Sequence, residues 1–280
     1  MKGRNKMEFG KILGQVRAQS PLVQCITNFV TVNDCANIIL AAGGSASMSH
    51  DVREVAQSVC GADGLVCNLG AIEEVDSMVL AGRQANRLKK PVIFDPVAVG
   101  RTQLRSDAAK RLLEEVQFTV IRGNASEIRY LAGQKTGSGG VDVCAPDEIN
   151  RENLSAAAQM IKALAQRTGS VIAVSGALDL VSNGERTVVL KNGCPTMARI
   201  TGSGCMLSAL MGTFCAVAPQ KSFEAVCAAM AAMGVCGEMA EQRRLQNGTG
   251  NATFRNDLID AVFNLTQEQL TKLARYECFD

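Results

Sequence analysis

Four strand-like ends and one glycine-rich turn hold the residues able to do chemistry. The turn lies in ITGSGCMLSALMG, Ile200 to Gly212. Two closely spaced glycines, Gly202 and Gly204, precede Cys205, and an apolar helix pattern follows. The N–H groups at a helix start have no partners within the helix and carry a positive end-charge. A phosphate is the usual guest there, so the amides of Gly202, Ser203, Gly204 and Cys205 form a candidate anion hole. VIFDPVAVG ends an apolar run on Asp95, and FTVIRGNASEI ends another on Arg122, Asn124 and Glu127. Asp95 and Glu127 offer hard oxygen ligands, directly or through waters, for the Mg²⁺ that travels with nucleotide phosphates. Arg122 offers a charge-assisted fork to a phosphate. Thr27–Asn28 and Ser175–Asp179 close two further apolar runs.

Each of these residues also has a plain structural explanation. An Asp after a strand often caps the next helix, and a Glu near a helix start favours the helix dipole. A Gly-x-Gly turn can be strand-to-helix packing, and Cys205 can be one more small core residue. The turn is not a Walker A loop, since no Gly-Lys-Ser/Thr follows, and its late position excludes a Rossmann fingerprint. The joint appearance of the carboxylates, the arginine and the turn carries the functional reading.

The elements that must position them alternate strand-then-helix. LVQCI, SASMS, DGLVCNLG, PVIFD, FTVIRGN and SVIAVSG each lead, directly or after a loop, into a helical or turn segment. This implies a mainly parallel central sheet with helices on both faces, in one domain spanning residues 1–280. The short continuous apolar strands suit a sheet covered on both sides. A hairpin is expected at Asn183-Gly184, and a nearly all-helical chain after Cys205. Residues 1–7 are expected to be flexible and residues 133–150 to form a long loop, a potential lid. In such sheets ligands bind beyond the carboxyl ends of the strands, so the four strand ends and the Gly202–Cys205 turn converge on one face.

Composition excludes several classes. The 29 basic and 27 acidic residues are dispersed and give a net charge of +2. With no Trp and two Tyr there is little to stack on bases, so no nucleic-acid partner is expected. Eleven cysteines occur without any Cys-x-x-Cys pair, and the one histidine is His50, which argues against zinc. The thiols mostly sit in apolar runs and read as core residues of a reducing cytoplasm. No leader pattern and no 18-residue apolar run is seen, so no membrane association is expected.

The motifs SPLVQCITNFVTVNDCANIILAAGGSASM, VIFDPVAVG, VIRGNASEI, GVD, VSGALDLV and ITGSGCMLSALMGTFCAV, in this order from about Ser20 to Phe254, resemble the hydroxyethylthiazole kinase family of the ribokinase-like superfamily. The resemblance implies ATP-dependent phosphorylation of the primary alcohol of 4-methyl-5-(2-hydroxyethyl)thiazole, in thiamine salvage. It implies a thiazole pocket at Asn28, Val30, Met48 and Gly202, ATP contacts from Arg122 and Ser175, and Mg²⁺ organised by Asp95 and Glu127. It also implies a homotrimer whose pocket a neighbouring subunit completes. Most superfamily relatives carry Asp at the Cys205 position. There, Cys205 would accept the alcohol proton, its pKa lowered by the helix start and raised again by a bound phosphate.

The sequence departs from the family pattern at Gln24, Ala46, Gly139, Ala177, Cys194 and the late GTGNATF turn, none of them at Asp95, Arg122, Glu127, Gly202 or Cys205. Three alternatives are a kinase for another vitamin-precursor alcohol such as hydroxymethylpyrimidine, a non-catalytic thiazole or nucleotide binder, and a hydrolase with Cys205 as nucleophile. The last would need a histidine partner, and only His50, beside Asp51, is on offer.

Overall fold

The computed structural model describes residues 7–134 and 148–279. Most of the long loop expected at 133–150, including Gly139, lies outside the described residues, as do residues 1–6. Met7 is tied by its amide N–H to the Tyr276 hydroxyl at 2.8 Å.

Among the described residues nine strands form one sheet, in the order β2-β1-β3-β4-β5-β6-β7-β8-β9. They are β1 (Leu22–Ile26), β2 (Ser45–Ser47), β3 (Gly64–Asn68), β4 (Val92–Asp95), β5 (Val120–Asn124), β6 (Val171–Ser175), β7 (Asp179–Ser182), β8 (Thr187–Leu190) and β9 (Tyr276–Cys278). Pairing is parallel from β2 to β6 and antiparallel from β6 to β9. The expected mainly parallel α/β sheet is therefore present. The turn at Asn183 joins β7 to β8, and Gly184 takes the positive φ of 89° that favours glycine there. The chain after Cys205 is nearly all helical, as expected, except that its end adds a short strand, β9, which pairs with β8. Three residues with a Tyr, a Glu and a Cys carry too little apolar alternation to announce a strand; the neighbouring edge supplies the hydrogen bonds.

Helices cover both faces. On one lie α1 (Phe9–Gln19), α2 (Val32–Ala42), α8 (Ser203–Val217), α9 (Ser222–Asn247), α10 (Asn251–Asn264) and α11 (Gln267–Leu273). On the other lie α3 (Val55–Gly61), α4 (Val75–Arg87), α5 (Gln103–Glu115), α6 (Ala125–Leu131) and α7 (Leu154–Thr168). α8 and the first part of α9, to Gly237, are apolar nearly all round because they are enclosed; Met206 to Cys215 are all buried. The segment Pro219–Asn247 has the length and hydropathy of a membrane span, but 83% of its apolar window is buried inside the protein, as a core helix is.

The two-residue period of a strand decides what faces α8. Val66, Ile93, Val120 and Ala173 pack into the α8 layer, whereas Cys67, Phe94, Ile121 and Val174 pack into the opposite one. Counting on by two from the first set reaches Asn68, Asp95, Arg122 and Ser175. The alternation thus places one polar side chain from each of four adjacent strands on the α8 side of the sheet, at its carboxyl edge.

Candidate active site

These side chains form a connected polar row. Asn68 and Asp95 are register partners, as are Asn124 and Ser175. Asp95 Oδ2 accepts from Ser208 Oγ of α8 at 2.7 Å, from Asn68 Nδ2 at 3.2 Å and from Arg122 Nη1 at 3.3 Å. Arg122 also donates through Nη2 to Ser175 Oγ. The Asp95–Arg122 ion pair is almost wholly buried. Removing one partner of such a pair leaves a charge without compensation, so the pair is kept or lost together.

α8 begins directly above this row. Gly202 caps it with φ 84°, and an added Cβ there would lie 2.6 Å from Thr31 Cγ2. At Gly204 an added Cβ would lie 2.6 Å from Arg122 Nη1. Glycine at 204 lets the guanidinium lie against the unpaired amides of the helix start, and glycine at 202 takes the left-handed turn and leaves room for Thr31. Cys205 brings its sulfur 3.2 Å from Asn68 Nδ2 and 3.6 Å from Asn28 Nδ2. Asn28, Asp95, Arg122, Ser175 and Cys205 are therefore brought together, joined by hydrogen bonds. Asn68 links them and was not singled out from the sequence. The signal was present: it closes an apolar strand run, as Asp95 does.

The other expected residues lie around this row. Met48 is half-buried beyond β2 and packs against the α2–α8 core. Val30 is 58% exposed and its neighbour Phe29 84% exposed, while Asn28 beside them is buried. Glu127 sits behind the row. Its Oε1 accepts from Ala98 N–H at 2.9 Å and its Oε2 from Asn124 N–H at 2.8 Å, while Asn124 Oδ1 accepts from Glu127 N–H. This is a capping box at the start of α6. It also fixes the β4–α5 loop, where Ala98 adopts the left-handed φ of 59°.

Burial governs the charges. It pushes the Glu127 carboxyl up, and the nearby Asp95 charge adds to this, against the two backbone N–H groups. Burial also pushes Asp95 up, while Arg122, Ser208 and Asn68 pull it down. For Cys205 the lowering expected from the helix start does not prevail. Burial first, then the Asp95 charge, raises the thiol, and bonds from Thr31 and Asn68 with the Arg122 charge only moderate this. The thiol thus keeps its proton at neutral pH. Asp179, where the chain turns from β6 into β7, is raised by burial to about 7 although it accepts from Gly176 N–H at 2.9 Å.

No cluster of three or more metal-ligating side chains occurs among the described residues. Asp95 Oδ1 is buried without a hydrogen-bond partner. One free carboxylate oxygen beside a second, bonded carboxylate suits Mg²⁺, which keeps most of its waters and binds through one or two carboxylates plus substrate phosphates. The hydrolase alternative meets the opposite result. His50 is exposed, hydrogen-bonded to Met48 O, and faces Glu74 rather than Cys205.

A mainly parallel sheet with helices on both faces and a polar row beneath a glycine-led helix start defines the ribokinase-like class. Bacillus subtilis pyridoxal kinase, whose structure was determined as an ADP complex, shares this fold at 18% identity and a TM-score of 0.55, over 77% of this chain and 90% of that one. The hydroxyethylthiazole kinase family model matches residues 13–268. The chain belongs to the hydroxyethylthiazole kinase family. It is 45% identical over 269 residues to hydroxyethylthiazole kinase of Clostridium acetobutylicum, covering 95% of this chain and 98% of that one. It is 44% identical to the enzyme of Desulfovibrio desulfuricans, over 91% and 92%. The structure of the hydroxyethylthiazole kinase protein from Pyrococcus horikoshii OT3 superposes with a TM-score of 0.84 at 31% identity, over 97% and 99%.

Proposed function

We propose that this chain transfers the γ-phosphoryl group of ATP to the hydroxyl of 4-methyl-5-(2-hydroxyethyl)thiazole, in thiamine salvage. Family membership along nearly the whole chain supports the reaction. The observation that carries the site is the row Asn68–Asp95–Arg122–Ser175 beneath the Gly202–Cys205 helix start.

Phosphoryl transfer passes through a loose transition state, so catalysis is mostly positioning and charge neutralisation. The amides of Ser203, Gly204 and Cys205, with Arg122 against them, receive the negative oxygens of the transferring group. Ser175 holds Arg122 in place and contacts ATP. The thiazole ring lies near Asn28, Val30, Met48 and Gly202. Asp95 and Glu127 would hold Mg²⁺, largely through its waters, and the ion would supply charge neutralisation for the nucleotide's phosphates. The substrate oxygen forms its bond to phosphorus as the β–γ bridge breaks and ADP leaves. The hydroxyl proton is lost late and passes to solvent, or to Cys205 Sγ in the fraction of molecules whose thiol has ionised. A protein of the cytoplasm working as a homotrimer fits the same reading. The exposed Phe29 and Val30 beside buried Asn28 support a second copy closing the thiazole pocket.

The test is ADP release with a panel of thiazole, pyrimidine and sugar alcohols. Turnover is expected with hydroxyethylthiazole. Preference for hydroxymethylpyrimidine would move the reading to another vitamin-precursor alcohol, and binding without ADP release would make the chain a non-catalytic binder.

A further inference from the structure

Asn68 is the one member of the polar row whose donors and acceptors are all committed. Its Oδ1 accepts from Gly70 N–H at 2.8 Å and from Asn28 Nδ2 at 3.3 Å. A backbone N–H can only donate, so Oδ1 faces Gly70 and the amide cannot be turned over. Nδ2 must then face Asp95 Oδ2 and Cys205 Sγ, each at 3.2 Å, and its two hydrogens serve one each. Asn28 is fixed by the same logic, since its Oδ1 accepts from Thr31 N–H at 3.2 Å. Its Nδ2 therefore also points at the sulfur. Gly70 backs the pair: an added Cβ would lie 2.6 Å from Asn68 Oδ1 and 2.8 Å from Asn28 Nδ2.

Resting on the kinase reading above, we propose that Asn68 is a positioning residue that holds the Cys205 sulfur as a hydrogen-bond acceptor at the mouth of α8 and ties it to Asp95. With amide N–H groups from two sides, the sulfur's negative charge is stabilised when the thiol ionises, and that thiolate can then take the alcohol proton and become a neutral thiol. The groups that bear on the sulfur are Asp95 from β4, Arg122 from β5, and Thr31 and Cys35 at α2. Asn68 is the uncharged link that touches both the carboxylate and the thiol. Without it, Asp95 keeps Ser208 and Arg122, but Cys205 loses its shorter amide bond and keeps the longer one from Asn28 and the contact with Thr31.

The test has two arms. In steady-state kinetics with ATP and hydroxyethylthiazole, Asn68→Ala should lower kcat about threefold to tenfold and no more than Cys205→Ala itself does, because the thiolate fraction falls when its hydrogen bond is lost, with KM changed less than about threefold. In a Cys205→Ala background the same substitution should cost less than about twofold, because the group it acts through is gone. The second arm needs no turnover. The rate of Cys205 alkylation by iodoacetamide at pH 9, read by peptide mass spectrometry against the exposed Cys60 of the same chain, should fall about tenfold in Asn68→Ala, since only the thiolate reacts. Asn68→Ser, whose hydroxyl can still accept from Gly70 N–H, takes its place if the alanine variant does not fold. Unchanged or faster alkylation, or full additivity in the kinetic cycle, would overturn the proposal. A wild-type chain that releases no ADP would instead sink the kinase reading, and the alkylation arm would still decide Asn68.

Discussion

At the scale of single residues, the site is a set of polar groups whose ionisation is set by burial. Cys205 carries its proton at neutral pH, so it is a modest base at best. Cys205→Ala is expected to slow kcat roughly threefold to tenfold with little change in substrate affinity, less than a well-matched general base would cost. Cys205→Asp should hold or raise kcat. Its carboxylate would meet the Asn68 and Asn28 donors and the helix start, which favour negative charge, against repulsion from Asp95. Steady-state kinetics with thermal melts decides this, and a stable Cys205→Ala enzyme with wild-type kcat would leave only the anion-cradling turn. Glu127 differs, because its two oxygens hold the Ala98 and Asn124 amides. Glu127→Gln removes one acceptor and the charge together. Turnover at saturating Mg²⁺ should fall at least about tenfold, roughly 1.4 kcal/mol of transition-state stabilisation, while thiazole still binds. The melting temperature should fall too, as the left-handed Ala98 loop loses its tether. Unchanged turnover would remove Glu127 from the reaction.

At the scale of elements, strand ends and one helix start do the positioning. Asp95, Arg122 and Ser175 were legible because each ends an apolar run, and the two-residue period puts them on one face. Cys205 was legible from its turn. The partners of these residues were not. That Glu127 faces Ala98 and that Asn68 joins Asp95 to Cys205 depend on which strands are neighbours, and no local pattern states this. The antiparallel strands at the far edge divide in the same way, since Asn183-Gly184 announces β7–β8 while β9 exists only by pairing. The element-level prediction concerns Asp179 at the β6–β7 turn. Its folded pKa of about 7 lies above the ordinary 3.8. The folded state therefore prefers the protonated form. The carboxyl is tolerated fully below about pH 4, and stability is lost as pH rises toward and through 7. Asp179→Asn keeps an oxygen for Gly176 N–H and never ionises. It should raise the melting temperature at pH 8 and leave it nearly unchanged at pH 4. Equal effects at both values would contradict the assignment.

At the scale of the whole molecule, the site is open on one side. The row beneath α8 is buried, yet the turn that carries Asn28 presents Phe29 and Val30 to solvent, 84% and 58% exposed. Burying two such side chains would favour association by about 1.5–3 kcal/mol each, which gives a partner surface a reason to sit there. Because Asn28 belongs to the same turn, a subunit seated on Phe29 and Val30 would also wall the proposed thiazole pocket. A trimer of 29.6 kDa chains is expected by light scattering at micromolar concentration. Phe29→Asp and Val30→Asp place charges in that contact without entering the core. Both should shift the mass toward the monomer and raise KM for hydroxyethylthiazole by at least about tenfold, while the melt of the isolated chain remains cooperative. KM for ATP should move less, because Arg122 and Ser175 lie four and five strands along the sheet from β2 and bond to each other within their own subunit. A monomer with wild-type KM for both substrates would show that one chain completes its own pocket.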